Sequence, residues 1–514
     1  MKRKQFVILC WILVCVMKTG PAFARIRDLT LDFAEPGQPA DLSENLYKAN
    51  SSDPWNGFFA QLSGFDQVRT WGLSLQGANP LQKNESNPLA PASVQKLVTT
   101  AAAFRHLGSG ARFANSFEAN FDPSTKDAFN VLFKVSGDPT WGHESFETAQ
   151  SRLQKVINEL KAQGVKRVSG QISVVPVHPE LDQIQVLNAW PKRWTLQCMA
   201  TQPTSFMFHG NCGEILVQSL SSAKWITPGV DVPIQLKIFK ASANSLSISA
   251  NLDTYGRIQS YRITGGFAKP TSTFYDSLQS ASLSALPVHQ SLAWLEKLFI
   301  EALNENGIAY STDTEHLPQN SAAALPLFVD LSSLPLIDIL KIAVSQSINS
   351  ILDRTYFETA FHESTPVASD PSFSILREVV GNEDMIQGVQ ILDGSGLAAN
   401  DRMRADLLKA FLGHLEDQPY FSDLLSTLAV AGISGTLATR LTGPLTNGKV
   451  FAKTGTIDGV YNLAGYFQTP DKRYEPFAIL SESALTAAQV RGMIDKIATE
   501  FALINTPGAE LKLR

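Results

Sequence analysis

Ser93-Val94-Gln95-Lys96, Ser347-Ile348-Asn349 and Lys453-Thr454-Gly455 follow one another in that order, and Ser93 and Ser347 are 254 positions apart. Taken singly, each has an ordinary explanation. Ser93 and Lys96 alone are a helix start with a solvated lysine, Ser347 and Asn349 a helix break, and Lys-Thr-Gly a turn. All three, in order and each in suitable local structure, are much harder to obtain by accident. The constraint they set is topological. The motifs lie in a helical block and in C-terminal strands beside it, and a large block of different character interrupts the helical one.

The first 24 residues read as a delivery signal. Lys2, Arg3 and Lys4 make a basic start, Phe6 to Met17 is an unbroken apolar run of 12 residues, and Ala22-Phe23-Ala24 is a cleavage site. A membrane span needs about 20 such residues, and no later segment reaches that length, so the mature chain is expected to carry no stable membrane span. Its location would be the periplasm. Cleavage removes four basic residues and no acidic one, taking the formal charge from −5 to −9. That balance argues against nucleic acid or an anionic lipid surface as the main partner. About 490 residues remain, too many for one core. Cys198 and Cys212 are then the remaining cysteines, 14 positions apart. In an oxidising compartment such a pair reads as one disulfide, worth roughly 3 kcal/mol in the chain-entropy account.

Periodicity gives the organisation. A strand-like stretch covers 68–75, and Pro91 opens a helix that runs through Phe104 and stops at Gly108. From 116 to 320 the pattern changes to a helix over 146–162 and alternating strand-like runs at 171–175, 214–219, 232–239, 246–252 and 257–264. Residues 286–304 read as an amphipathic helix, and 334–361 as a helical region carrying Ser347 and Asn349. Strands follow at 460–467 and 477–481, with a closing helix over 485–502. The fold class is therefore α/β in the broad sense (α+β). The division is 1–24 signal, 25–115 with 321–514 one domain, and 116–320 an inserted region of one or two nested parts.

The motif residues suit acyl transfer. Near a helix start, Lys96 is one turn from Ser93 and on its face. A neutral Lys96 takes the hydroxyl proton as Ser93 attacks an acyl carbon. For that its pKa must fall well below about 10.4, and burial and the second cation, Lys453, both act in that direction. A serine at a helix N-terminus has a free backbone N–H for the oxyanion. Ser347 suits a proton relay to the leaving group, and the Asn349 amide suits holding the substrate's peptide bond. Lys453 and Thr454 suit a terminal carboxylate, Gly455 lets the substrate lie against the backbone, and the Thr456 N–H completes the oxyanion hole.

The chain resembles the low-molecular-mass class C penicillin-binding proteins, D-alanyl-D-alanine carboxypeptidase/endopeptidases of peptidase family S13. Pro91-Ala92-Ser93-Val94-Gln95-Lys96 resembles the family's nucleophile segment, and Gly137-Asp138-Pro139-Thr140 a turn early in its insertion. Asp393-Gly394-Ser395-Gly396-Leu397, Ser434-Gly435-Thr436-Leu437, Lys453–Thr456 and Gly459–Tyr466 resemble its later blocks. The resemblance implies a β-lactamase/transpeptidase-like domain made from both chain ends. It implies cleavage of the terminal D-Ala from peptidoglycan stem peptides ending in D-Ala-D-Ala, and of cross-links between stems. It also implies acylation of Ser93 by penicillins and other β-lactams, and no cofactor or metal. Other readings on the same fold are a catalytically silent peptidoglycan-binding protein and a serine β-lactamase or esterase.

Two departures from the family pattern stand out. Ile348 replaces a common Asp in the middle motif. Before Cys198, where several relatives carry an acidic residue that holds a free amino group of the substrate, the stretch is Trp190-Pro191-Lys192-Arg193-Trp194. Gly443–Lys449 matches the outline of a phosphate loop, but Val450 stands where a Mg²⁺-ligating Ser or Thr is needed. The eight histidines contain no H-x-x-x-H pair, which speaks against a zinc peptidase.

Overall fold

The computed structural model describes residues 54–506, apart from 149, 185–188, 195, 228, 229, 231, 243, 254–256, 268–280, 289–291, 316–323, 363–374, 378–380 and 382. The signal expected over 1–24 lies outside the described residues.

The strands Val460–Gln468 and Tyr474–Glu482 are buried along most of their length, because both faces of their sheet are covered. The sheet runs Ala429–Val430, Val450–Ile457, Val460–Gln468, Tyr474–Glu482, Thr70–Leu75, Leu81–Lys83 in spatial order. Every pairing is antiparallel. Its fourth and fifth strands come from opposite ends of the described chain, Thr70 pairing with Glu482 and Leu75 with Phe477. Successive side chains point to opposite faces. Leu463, Phe467, Phe477 and Ile479 pack under the C-terminal helix Ala487–Ile504, while Ala464, Tyr466, Ala478 and Leu480 face a helical core. That core is built from the helices Lys96–His106, Leu336–Gln346, Asn349–His362, Ala405–Leu415 and Phe421–Thr427. The C-terminal helix starts where Thr486 and Gln489 form a reciprocal capping box, two residues after the hydrophobic pattern begins.

The stretch between the motifs supplies three further sheets. The largest runs Ala309–Ser311, Arg167–Ser169, Asp127–Val135, Ser116–Asp122, Leu325–Asp330, with Ser173–Pro176 also paired to Asp127–Val135. The helices Ser151–Ala162 and Ala293–Glu305 share its core. Its last strand carries this sheet past residue 320 to Asp330. Two three-stranded sheets complete the region, one holding Cys212–Ser219 and the other Ile258–Phe267. Cys198 and Cys212 are joined Sγ to Sγ, with Cα atoms 5.7 Å apart.

The expected helix over 286–304 is corrected at its start. Leu286 and Pro287 end a strand, Ala281–Pro287, paired with Gly213 and Cys212, and the helix begins at Ala293. Apolar spacing alone cannot separate the end of a buried strand from the start of a buried helix. The region over 334–361 is two helices that break at Ser347-Ile348. Among the described residues, no helix is long and apolar enough to cross a membrane.

Candidate active site

The chain reaches Ser93 through a short 3₁₀ turn, Ala92–Gln95, that feeds the helix starting at Lys96. Ala92 has φ of 45°, a left-handed conformation unusual for a residue with a Cβ. Hydrogen bonds and close packing around the turn hold it there. Asn462 donates from one amide nitrogen to the carbonyls of Ala90 and Pro91, at 2.9 and 2.7 Å. Asn462 Oδ1 accepts from the backbone N–H of Ser481 at 2.9 Å. Gly396, with φ of 79°, packs so closely on this turn that a Cβ would lie 1.9 Å from the Ala92 carbonyl oxygen.

Lys96 has no exposed surface. Its ammonium donates to Ser93 Oγ at 2.8 Å, Asn349 Oδ1 at 2.7 Å and the Ser395 carbonyl at 2.8 Å. One lysine thus touches elements 253 and 299 positions away in sequence. Burial pushes its pKa down to about 8, against the pull of Asp353 and then Asp393. Lys453, equally buried, is held well below the usual ammonium range by burial and secondarily by Lys96. Its Nζ donates to the Thr454 carbonyl at 2.8 Å.

Ser347 ends the helix Leu336–Gln346 at φ of 64°. The N–H groups of Ser347 and Ile348 return to the carbonyls of Val344 and Ala343, the double closure of a Schellman end. A serine takes the place where glycine is usual, and such outliers gather at functional sites. The sharp turn lets Asn349 open the next helix. Its amide donates to the Met199 carbonyl at 2.8 Å and its oxygen accepts from Lys96.

Lys453, Thr454 and Gly455 lie in the middle of Val450–Ile457. The neighbouring strand Ala429–Val430 pairs only with Ala452 and Phe451, and on the other side Val460–Gln468 pairs along the whole length. Thr454 Oγ1 is hydrogen-bonded to Thr436 Oγ1 at 2.9 Å. A Cβ on Gly455 would lie 2.8 Å from the Pro91 carbonyl oxygen, so glycine lets this strand approach the turn that carries Ser93. Arg491 donates to Thr456 Oγ1 at 3.4 Å.

The sequence pattern assigned no role to several residues that build this arrangement. The Asp393 carboxylate accepts from the backbone N–H groups of Ser395, Gly396, Leu397 and Ala398, which folds the turn that meets Lys96. Trp190 donates its indole N–H to the same carboxylate at 2.8 Å. Thr99 holds the Gly394 carbonyl at 2.8 Å. Asp353 is buried four residues after Asn349; that i, i+4 spacing on one helix was the signal available. The basic and aromatic stretch before Cys198 divides its work. Trp190 and Trp194 are buried. Arg193 reaches Asp458, in the turn just after the Lys-Thr-Gly strand, at 2.5 Å with both side chains more than half exposed. Among the described residues, no cluster of histidine, cysteine, aspartate or glutamate has the grouping of a metal site.

The arrangement suits nucleophilic acyl transfer: a serine hydroxyl on a helix start, a buried amine within hydrogen-bonding distance, and a short-flanked strand with a glycine opening. Comparison with known proteins points the same way. The model of the D-Ala-D-Ala carboxypeptidase 3 (S13) family matches residues 71–501. A D-alanyl-D-alanine carboxypeptidase DacB of Haemophilus influenzae is 25% identical over 400 residues, 74% of this chain and 78% of that protein. A D-alanyl-D-alanine carboxypeptidase of an Actinomadura species is 26% identical over 409 residues, 77% of this chain and 74% of that protein. In fold, the chain is similar to the crystal structure of penicillin binding protein 4 from Haemophilus influenzae, with a TM-score of 0.65 at 20% identity, covering 85% of this chain and 98% of that one.

Proposed function

The chain belongs to the D-Ala-D-Ala carboxypeptidase 3 (S13) family, and from that premise we propose that it removes the terminal D-Ala of peptidoglycan peptides through an acyl-enzyme on Ser93. The observation that carries this reading is the Lys96 amine, fully buried and shared between Ser93 Oγ and Asn349 Oδ1. Once neutral, Lys96 takes the Ser93 proton while Oγ attacks the carbonyl carbon of the penultimate D-Ala. The backbone N–H groups of Ser93 and Thr456 receive the developing oxyanion. Ser347 passes a proton to the departing amine of the terminal D-Ala, and Asn349 holds the peptide bond. Lys453, Thr454 and Gly455 form the carboxylate end of the site, with Thr436 as the partner of Thr454. Water then releases the acyl group, with Lys96 returning as base.

The same chemistry opens cross-links whose scissile bond lies between two D-centres, so endopeptidase activity belongs to the proposal. β-Lactams enter as strained amides that acylate the same serine. The two ends of the chain make the catalytic domain, supported by the pairing of Thr70–Leu75 with Tyr474–Glu482. The protein works in the periplasm, delivered by residues 1–24, with Cys198 and Cys212 oxidised to a disulfide there.

The test is the intact mass of purified protein after incubation with benzylpenicillin, wild type beside Ser93→Ala, followed by D-Ala release from stem peptides. A single adduct on wild type that is absent from the variant is the expected result. No adduct and no hydrolysis would leave a peptidoglycan-binding role.

A further inference from the structure

Behind Lys96 lies a carboxyl group that the chemistry above does not use. Asp353 follows Asn349 by one turn on the helix Asn349–His362, so the two share a face, and it has no exposed surface. Its Oδ1 accepts from the backbone N–H of Gly394 at 3.0 Å. Its Oδ2 is buried, and the Ser395 side chain lies against the carboxyl as a hydrogen-bonding neighbour. Asp393 is close enough for its charge to act on Asp353. The fold gathers four backbone donors and the Trp190 indole around Asp393, and gives Asp353 the Gly394 N–H and the Ser395 side chain. Two ionised carboxylates in one dry space repel each other strongly, and the one with fewer donors is the one that keeps a proton. Burial, and then Asp393, raise the proton affinity of Asp353 well above the carboxyl range, with Lys96 opposing.

The charged groups facing Asp353 are Asp393 from the turn and Lys96 from the nucleophile helix; Lys453 acts on Lys96 from the strand. On its own helix, Arg354 is directed to the carbonyls of Ser136 and Gly137 and to Glu358.

We propose that Asp353 is a positioning residue for Lys96: a neutral carboxylic acid in the reactive enzyme, it anchors the Gly394–Ser395 turn whose carbonyl holds the lysine. The inference rests on the reading of Lys96 as the base.

Asp353→Asn keeps the Oδ1 acceptor, supplies an N–H in place of the acid O–H, and cannot become a carboxylate. Its rate of Ser93 acylation by benzylpenicillin should stay within about threefold of wild type at the plateau. The acid limb of its pH profile should stay where it is in wild type, because the amide carries the same charge as the neutral acid it replaces. Asp353→Leu, which orphans the Gly394 N–H, should lose about 100-fold or more. A 100-fold loss in a folded Asp353→Asn, an acid limb moved lower by about one unit, or full activity in Asp353→Leu would each overturn the proposal. Should Asp353→Asn not fold, carbon-13 spectra of wild type labelled at the aspartate carboxyls decide. One aspartate still protonated near about pH 7 is expected, and ionisation of all of them overturns the idea. Absence of any penicillin adduct on wild type would count against the Ser93 reading; the carboxyl spectra would still judge Asp353.

Discussion

Lys96 illustrates how far a residue's chemistry depends on its surroundings. In water it is an ammonium at any physiological pH and cannot act as a base. Buried, with its pKa brought to about 8, it has an accessible lone pair. Below that value Lys96 is protonated and idle; above it the amine is free. Acylation of Ser93 by benzylpenicillin is therefore expected to rise with pH through about 8 and then level off, as stopped-flow rates across the range would record. Lys96→Arg keeps the charge and the length but cannot deprotonate. It should lower the acylation rate by about 100-fold or more, and near-normal turnover would remove Lys96 from the role of base. The sequence already set Ser93 and Lys96 on one face by their spacing. It gave no sign that the Ser395 carbonyl, 299 positions on, takes one of the three hydrogen bonds of the lysine.

The elements were legible in proportion to how local their cause is. The C-terminal strands and the closing helix read plainly, since their apolar runs and the Thr486 cap are local signals. The strands Ser116–Asp122 and Asp127–Val135 were not read, and neither was the helix Ala405–Leu415. The turn Asp393–Leu397 was recognisable as a turn, but its purpose was not. It is a wedge between the helix of Lys96 and the helix of Asn349, touching Lys96, Thr99, Ala92 and Asp353. Gly396→Ala would force a Cβ against the Ala92 carbonyl from a left-handed backbone. The expected outcome is a loss of roughly 3 kcal/mol in urea unfolding, together with loss of penicillin labelling, because the strain is relieved at Ser93. A variant that unfolds early yet labels at the wild-type rate would dissociate this turn from the nucleophile.

Across the whole molecule, Arg354 ties the helix of Asn349 to the sheet of the intervening region. Its fully buried guanidinium donates to the carbonyls of Ser136 and Gly137 and pairs with Glu358. Arg354→Met leaves two buried carbonyls without their donor, a cost of roughly 3 kcal/mol in urea unfolding. Arg193→Ala, which breaks an ion pair open to solvent, should cost less than about 1 kcal/mol. Equal losses in the two variants would mean that burial is not what distinguishes the pairs. Replacing both Cys198 and Cys212 by serine should lower stability by about 3 kcal/mol, read from the same unfolding curves. By itself the sequence determined which serine, lysines and asparagine are the candidates for the chemistry, and the family pattern that joins them, since identity and short spacing are properties of the chain alone. The tertiary structure decided how that chemistry is tuned. The burial of Lys96, the crowding of Asp353 against Asp393 and the approach of Gly455 to Pro91 arise between segments far apart in sequence, where solvent exclusion and contact exist only once the chain has folded.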